Sequence, residues 1–565
     1  MTAALERQGP GGNVRRLAAI LVTMAAASLV WSAPVAGPAV RLVVFISVDQ
    51  CRSDYLTRFS DHYLPPHVSG KPGGFRLLVV EGAHYRDAHH AHLPTTTGPG
   101  HTTLATGAPP ALHGIVGNRL FDRATGKTRR CVEDPSVQTV GGKATPASPR
   151  SILVTTIGDE LKLASGGLAK VVAVAIKDRA AVPLAGHAAD LALWLDDATG
   201  NWVTSTFYRP GGTLPRWVES LNQEHRLDRY VGRAWEPLMP RDAYRQTLTF
   251  AHAGGPGDPL FSHRLPATTT EDYYDSYAAW GPANDEVIEV AKRAIAGEQM
   301  GKDEVPDLFL LNLSTNDYVG HTYGPNSAEI MDVSVRTDRA LAELFRFLDT
   351  QVPGGLGRVL IVVTGDHGVS TAPEEALAAA RIPVGRGTDT MVVQAMEAAL
   401  DTAYGPADWV VEGARTSPNV YLNLAAASEH HVAAEDMQRT AALAASQATG
   451  VYVAFSRAQI LSGQLPPWDF TRLVVNGYNP RLGGDVFVVT QPGWLLSGPP
   501  DASHGSPWAP DTHVPLVLRG PGITPGPQYR RVTTMDIVPT ISQVLGIGYP
   551  TGCTGQPLRE ALTPR

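Results

Sequence analysis

Three short apolar runs stand out in the chain: Leu42–Val48, Leu308–Leu313 and Val359–Val363. Runs of this length without polar alternation are typical of strands buried on both faces, as in parallel sheets. Between the last two runs, Ser327–Leu348 carries apolar residues at near-helical spacing, which predicts a helix between two strands. The pattern predicts an α/β fold, a doubly wound and mostly parallel sheet flanked by helices.

Shorter patterns fill in the order of elements. Gly73–Glu81 is predicted to be a helix and Val171–Ile176 a strand, while His101–Thr106 begins a helix after a turn at 98–100. Residues 200–300 are rich in Trp, Tyr, Pro and Arg, and residues 375–500 mix helices with strands such as Val486–Thr490. We expect one catalytic domain over residues 40–565, with cap insertions at about 200–300 and 375–500.

The N-terminus has the layout of a secretory signal peptide over residues 1–36. Arg15 and Arg16 precede an apolar stretch from Leu17 to Val30, and small residues and prolines follow it. A periplasmic or secreted protein is expected, with no stable membrane span after cleavage. An uncleaved anchor is the alternative, although the apolar stretch is short for a span. The arginine pair leaves a twin-arginine export route open.

Composition excludes little else. The net charge of the 565 residues is −7 and no basic stripe is present, which argues against a nucleic-acid scaffold as partner. The three cysteines form no CxxC motif and allow at most one internal disulfide. We expect a monomer that acts on small molecules.

Carboxylates and imidazoles follow the three apolar runs, where open α/β sheets place their sites. A later histidine joins them. These side-chain types bind divalent ions, and their origin hundreds of residues apart indicates a catalytic centre for two ions. The candidate metal ligands are Asp49, Asp317, His321, Asp366, His367 and His504.

A threonine cluster supplies a candidate nucleophile. Thr97 lies just before Gly98-Pro99-Gly100-His101, so its hydroxyl is expected on a turn ahead of a helix N-terminus, which favours an anionic substrate. A divalent ion can lower the pKa of a bound hydroxyl. The alternative is a helix-capping threonine. Thr95 and Thr96 precede it directly, so sequence position does not assign the nucleophile uniquely.

The order V-D-Q-x-R, T-G-P-G-H-T-T, G-I-V-G-N, K-D-R, D-x-x-G-H, G-D-H-G and H-G resembles the alkaline phosphatase superfamily, and most closely its PafA-type members. The resemblance implies two Zn²⁺ ions and a threonine nucleophile, Thr97. It places Asp49, Asp366, His367 and the Thr97 oxygen at one ion and Asp317, His321 and His504 at the other. It also implies that Asn118, Lys177 and Arg179 hold phosphoryl oxygens.

The resemblance therefore predicts a phosphomonoesterase that hydrolyses small-molecule phosphate esters through a covalent phosphothreonine. The nearest alternative is a nucleotide pyrophosphatase/phosphodiesterase of the same superfamily; the Lys177–Arg179 pair favours the more highly charged monoester. A sulfatase lacks support, since no cysteine begins C-x-P-x-R. A non-catalytic binding protein would be expected to lack ligands or nucleophile. His513 competes with His504 as the last ligand.

Overall fold

A computed structural model describes residues 40–244, 247, 263–373, 384–411, 418–496 and 502–563. The predicted signal peptide, residues 1–36, lies outside the described residues. Among the helices that are described, none is long and apolar enough to cross a membrane.

Twenty strands are described. In chain order they are β1 (Leu42–Val48), β2 (His67–Val68), β3 (Lys71–Pro72), β4 (Ala83–His89), β5 (Arg119–Asp122), β6 (Lys127–Arg130), β7 (Thr139–Val140), β8 (Val171–Val174), β9 (Leu191–Leu195), β10 (Trp202–Ser205), β11 (Asp307–Leu313), β12 (Val359–Thr364), β13 (Gly385–Arg386), β14 (Asn419–Val420), β15 (Val451–Ser456), β16 (Val486–Thr490), β17 (Trp494–Leu495), β18 (His513–Arg519), β19 (Gly526–Gln528) and β20 (Val532–Thr533).

The central sheet has the order β19-β4-β18-β12-β1-β11-β8-β9-β10-β7, with β20 paired to β4. β1 lies between β11 and β12 and is parallel to both, so that Ile46 is level with Leu311 and Val363. The sheet is parallel from β12 to β9, whereas β18 pairs antiparallel with both β12 and β4. The three apolar runs are thus adjacent central strands with their carboxyl ends at one edge.

The described α-helices are Tyr55–Arg58, Phe75–Glu81, Thr97–Thr106, Pro110–His113, Ile157–Ala164, Asp178–Ala185, Arg216–Gln223, Glu271–Ala278, Ala283–Gly297, Thr315–Tyr323, Ala328–Gln351, Asp389–Tyr404, Leu424–Glu429, Ala434–Ser446, Arg457–Ser462, Thr471–Gly477, Ala509–Thr512 and Ile537–Leu545.

Helices cover both faces of the sheet. Val44 and Ile46 of β1 belong to one buried cluster with helices Ala283–Gly297 and Ala328–Gln351. The alternate residue Phe45 belongs to a second cluster with helices such as Thr97–Thr106. Because successive strand residues point to opposite faces, both faces need apolar side chains, which accounts for the absence of a polar alternation in these runs. The predicted doubly wound α/β fold is confirmed.

The helix predicted to begin at His101 begins at Thr97 instead. Gly98, Pro99 and Gly100 form its first turn and do not precede it. A proline is tolerated there because the first N–H groups of a helix have no partner within the helix. The prediction treated Gly-Pro-Gly as a helix breaker and thereby misplaced the helix start.

The two regions predicted as caps differ. Within residues 375–500, β14, β16 and β15 form a separate small sheet over an apolar cluster of their own that includes Met396 and Trp409. Within residues 200–300, β10 joins the central sheet and helix Ala283–Gly297 packs in the main core. For the region predicted at residues 200–300, we therefore propose a cap only between Ser205 and Ala283.

Candidate active site

The three candidate aspartates lie at the carboxyl ends of the three central parallel strands. Asp49 follows β1 directly, Asp366 lies two residues after β12, and Asp317 is in the first turn of helix Thr315–Tyr323 after β11. Because β1, β11 and β12 are neighbours and parallel, their ends bring the aspartates together. All three are buried, at 0–3% exposed.

Asp49, Asp366 and His367 form one group, in which one donor atom from each lies within 4.8 Å of the others. His367 Nε2 is 3.2 Å from Asp366 Oδ2 and 3.6 Å from Asp49 Oδ1. These same three atoms are buried and, among the described residues, lack a hydrogen-bond partner. Buried polar atoms normally have one, so this group has unused capacity to bind a cation.

Asp317, His321 and His504 form an adjoining group. Asp317 Oδ1 is 3.2 Å from His321 Nε2 and 3.5 Å from His504 Nε2. The two Nε2 atoms are themselves 3.2 Å apart. Asp317 and His321 are one helical turn apart, as their spacing predicts, and His504 comes from the loop before β18.

The three imidazoles share one tautomer, fixed by backbone carbonyls. Nδ1 of His367 donates to Gly368 O at 2.9 Å, and Nδ1 of His504 donates to Thr95 O at 2.7 Å. His321 Nδ1 does the same to Ala502 O at 2.7 Å. A carbonyl oxygen only accepts, so in the neutral rings every Nε2 carries a lone pair directed into the site.

The rings of His367 and His504 stack face to face, with centroids 3.6 Å apart and planes 19° apart. Imidazole lone pairs lie in the ring plane, so nearly parallel stacked rings direct them side by side and not toward a common point. A metal ion sits about 2.0–2.1 Å from each ligating nitrogen. Rings stacked in this way are poorly oriented to share one ion, although one donor atom from each of Asp317, His367 and His504 also lies within 4.8 Å of the others.

The charges in the site are strongly coupled. Burial and the neighbouring Asp49 raise the pKa of Asp366 well above its ordinary value. Burial acts in the same direction on Asp317, but the adjacent Lys177 ammonium outweighs it and holds the pKa of Asp317 well below its usual range. Burial, together with His504, lowers the pKa of His367. His367 is therefore neutral, as a metal ligand must be.

Lys177 and Arg179 flank the start of helix Asp178–Ala185 after β8. Lys177 Nζ is buried and hydrogen-bonds to Asp49 Oδ2 at 3.0 Å and to Asp317 Oδ2. Asp178 pairs with Arg130 at 2.5 Å. Lys177 and Arg179 also line a cavity of about 510 Å³.

Thr97 is the first residue of its helix and is 1% exposed. The N-cap position belongs to Thr96, which makes no side-chain capping bond, so helix capping does not account for Thr97. A Cβ on Gly100 would meet the backbone O of Asp366 at 2.2 Å; glycine thus lets this helix approach the Asp366 group closely. The Oδ1 atom of Asn118 accepts from Gly98 N at 2.7 Å.

His101 holds the same turn. Its Nδ1 donates to Thr97 O at 2.9 Å, and its Nε2 accepts from Asn312 Nδ2 at 2.9 Å. Burial lowers the pKa of His101 to about 4, which keeps the ring neutral and both bonds in place. His101 therefore ties the Thr97 turn to β11.

His513 lies in a different cluster. It opens β18 directly opposite His89 of β4, and the two rings stack at 4.5 Å and 12°. Asp87 completes this group. The structure thus brings His504, and not His513, to Asp317.

Two further residues hold the site and had no role in the sequence prediction. Gln50 donates from its backbone N to Asp366 Oδ1 at 3.1 Å and from Nε2 to Asp317 Oδ1 at 2.7 Å. Its backbone is left-handed, with φ of 59°. Asn316 Nδ2 donates to Asp49 O at 2.8 Å. In the sequence, these two residues were indicated only by their positions in or next to the motifs: Gln50 within V-D-Q-x-R and Asn316 directly before D-x-x-G-H.

The chain matches the family model of type I phosphodiesterases / nucleotide pyrophosphatases over residues 43–507. The chain belongs to this family. The matched segment includes every candidate site residue, from Asp49 to His504, so family membership and site geometry concern the same part of the chain.

Known relatives refine the assignment. Alkaline phosphatase PafA of Elizabethkingia meningoseptica is 33% identical, with 93% of this chain and 95% of the relative covered. A protein of Myroides odoratus named calcium-transporting ATPase is 34% identical, over 92% and 94%. The solved structure of PafA superposes with a TM-score of 0.84 at 31% identity, covering 94% of this chain and all of that one.

Within the family the chain is an alkaline phosphatase of the PafA type and hydrolyses phosphate esters. A PafA variant has also been solved in which one threonine is replaced by serine, and one asparagine, one lysine and one arginine by alanine. Its TM-score to this chain is also 0.84, at 30% identity.

Proposed function

We propose that the protein is a two-zinc phosphomonoesterase that works through a covalent phosphothreonine on Thr97. One observation carries the proposal. The Nε2 atoms of His321 and His504 face each other at 3.2 Å, although both rings already use Nδ1 as donor. Burial disfavours a charged His321, but the neighbouring Asp317 outweighs burial and raises the pKa of the ring. The facing nitrogens beside Asp317 therefore attract positive charge, and two neutral rings with Asp317 form a ligand set for a cation.

The donors fit zinc. Imidazole nitrogens and carboxylate oxygens are its usual protein ligands, and catalytic zinc keeps a position open. We propose that Asp49, Asp366 and His367 hold one ion with the Thr97 oxygen, and that Asp317, His321 and His504 hold the other. The pair of ions would supply charge stabilisation for the attacking and leaving oxygens of an in-line displacement.

The reaction proceeds in two displacements at phosphorus. Thr97 Oγ1 loses its proton and bonds to phosphorus while the bond from phosphorus to the alcohol oxygen breaks, and that oxygen leaves as the protonated alcohol. Water then attacks the phosphothreonine, its oxygen replaces Thr97 Oγ1 on phosphorus, and the threonine hydroxyl regains a proton. The helix N-terminus at Thr97 favours the anionic phosphoryl group.

Asn118, Lys177 and Arg179 are proposed to bind the equatorial phosphoryl oxygens, which stay charged in the loose transition state. Because Oδ1 of Asn118 is engaged by Gly98, the Nδ2 amide is the group available to donate. In the PafA variant the replaced threonine and asparagine are 21 positions apart and the lysine and arginine two apart. Thr97 to Asn118 and Lys177 to Arg179 have the same spacings, which supports these roles.

The substrates are proposed to be small phosphate monoesters. A monoester dianion carries one more charge than a diester, so the cations of Lys177 and Arg179 favour it. The nucleotide pyrophosphatase/phosphodiesterase alternative keeps the same ligands and nucleophile and differs in this preference. We further propose that residues 1–36 direct export, so that the mature protein is periplasmic or secreted, and, separately, that it is a monomer.

The test compares hydrolysis of p-nitrophenyl phosphate with that of bis-p-nitrophenyl phosphate, with zinc and after chelation. We expect a higher kcat/KM on the monoester and loss of both activities without zinc. A higher efficiency on the diester contradicts the monoesterase. Thr97→Ala should abolish the acid-stable phosphoprotein seen in rapid quench, whereas Thr96→Ala should retain it.

A further inference from the structure

The ring pair His367–His504 joins two loops that share no strand or helix. His367 lies in the loop after β12, and His504 in the loop before β18. One backbone bond between the described parts of these loops runs from Ser370 N to Ser503 O at 3.2 Å. The separation of the two rings, and hence of the two proposed ions, depends on the pairing of β12 with β18 and, beyond the ends of these strands, on the groups that connect the loops.

Asp511 makes that connection. It is 1% exposed in helix Ala509–Thr512. Its Oδ1 accepts from Ser370 Oγ at 2.6 Å, while its Oδ2 accepts from Ser506 N at 2.8 Å and Ser506 Oγ at 2.6 Å. Its backbone O accepts from Gly368 N at 2.8 Å. One residue thus holds the residue next to His367 and the residue two beyond His504.

The same network continues to the nucleophile turn. Ser506 O accepts from Thr95 Oγ1 at 3.0 Å, and Thr95 O in turn accepts from His504 Nδ1. Fixing Ser506 therefore fixes both the partner that orients the His504 ring and the chain two residues before Thr97.

The segments around Gly368 and Pro510 pack closely against each other. A Cβ on Gly368 would meet Pro510 O at 2.1 Å, so the two segments are in backbone contact. Burial raises the pKa of Asp511, and its hydrogen bonds from Ser370 and Ser506 oppose that rise. A buried carboxylate contributes little net stability after its desolvation cost, so its stabilising value does not by itself explain this arrangement.

We propose that Asp511 is a positioning residue that holds the His367 and His504 loops at a fixed separation and thereby sets zinc affinity at the ion bound by His504. The proposal rests on the two-zinc function proposed above. Within the described part of the chain no hydrogen bond joins Asp511 to a proposed ligand atom; it is bonded to Gly368, Ser370 and Ser506, and its charge also acts on His504. Outer groups of this kind typically change metal affinity by about 10–100-fold.

The experiment measures zinc per chain after dialysis and zinc affinity by chelator competition, for wild type, Asp511→Asn and Ser506→Ala. We expect Asp511→Asn to retain one tightly bound zinc, to bind the second about 10–100-fold more weakly, and to regain turnover when zinc is added. Ser506→Ala should shift affinity in the same direction by less. In the Asp511→Asn background it should add little, because the two residues share one interaction.

Asp307→Asn is the matched control. Asp307 is 2% exposed and accepts from Lys170 N and Gly301 N at 2.7 Å each, but it lies at the opposite end of β11 from the site. The Asp307→Asn variant should unfold at a lower denaturant concentration than wild type and should bind both zinc ions with wild-type affinity.

Two results separate the hypotheses. If wild type binds two zinc ions and both Asp511→Asn and Ser506→Ala bind them with unchanged affinity, the positioning role is wrong and the proposed function stands. If folded wild type binds no more than one zinc, the proposed function itself is wrong, and this role falls with it. Should Asp511→Asn fail to fold, Ser506→Ala alone decides the first case.

Discussion

Two regions of this protein each combine aspartate with a stacked pair of histidines. In the first, His367 stacks on His504, and two aspartate groups flank the pair. In the second, His89 stacks on His513 beside Asp87. Both qualify as candidate metal sites by residue type and distance, yet their hydrogen bonds differ.

In the second region hydrogen bonds satisfy both nitrogens of His89. His89 Nε2 donates to Asp87 Oδ1 at 2.7 Å, and its Nδ1 accepts from Thr512 Oγ1 at 3.0 Å. His513 Nε2 donates to Arg86 O at 2.9 Å. In the first region, by contrast, three buried atoms that could bind a metal lack a hydrogen-bond partner within the described chain: Asp49 Oδ1, Asp366 Oδ2 and His367 Nε2. The lesson is that unsatisfied lone pairs, more than residue types, mark a metal site.

The largest expected difference in activity is between variants of one carboxylate from each region. Asp366→Asn changes a buried carboxylate whose Oδ2 has no hydrogen-bond partner among the described residues, whereas Asp87→Asn changes a half-exposed partner of His89. We expect Asp366→Asn to lower kcat/KM on p-nitrophenyl phosphate by more than the roughly 10–100-fold typical of outer-shell changes. Asp87→Asn should stay within about twofold. Equal losses of kcat/KM in the two variants would contradict the conclusion that the two regions differ in function.

Next come the second members of the stacked pairs. His504→Gln should remove one of two bound zinc ions and lower kcat/KM by on the order of 10²-fold. His513→Gln should leave zinc content and rate at wild-type values. Elemental analysis of dialysed protein and steady-state kinetics measure both. Loss of zinc from the His513→Gln variant would indicate that His513, and not His504, is the last zinc ligand.

The smallest expected effect is a pH dependence of stability in the second region. Burial and His513 lower the pKa of His89 from 6.5 to about 4. The unfolded chain therefore binds more protons, so stability is full above pH 6.5 and is lost as the pH falls toward 4. Between pH 6.5 and 4.5, chelator-treated wild type should lose about 2 kcal/mol more than His89→Gln.

Guanidinium unfolding at both pH values measures that difference. Parallel pH profiles of wild type and His89→Gln would show that His89 gains its proton equally in both states. In that case the hydrogen bonds of His89 would not distinguish the second region from the first.

The fold could be predicted largely from three runs, because strands buried on both faces leave an apolar signal without polar alternation. The convergence of Asp49, Asp317 and Asp366 follows from the same strands, since parallel neighbours end at one edge. The ligand partition and the choice of His504 came from motif order, because loop residues carry no periodicity that would locate them.

Other features could not be predicted from pattern. Gln50 contributes through a left-handed backbone, and Asp511 through burial between loops that are far apart in sequence. The start of the Thr97 helix was misplaced because Pro99 signals a break in most contexts but is tolerated in a first turn. These positions depend on tertiary contacts, which local sequence does not encode.

The central claim is that His367 and His504 bind different ions. Anomalous diffraction at the zinc edge from zinc-loaded crystals tests it directly. We predict two peaks about 3.5–4 Å apart, one beside Asp49, Asp366 and His367 and the other beside Asp317, His321 and His504, with none at His89 and His513. A single peak shared by His367 and His504 would contradict the account.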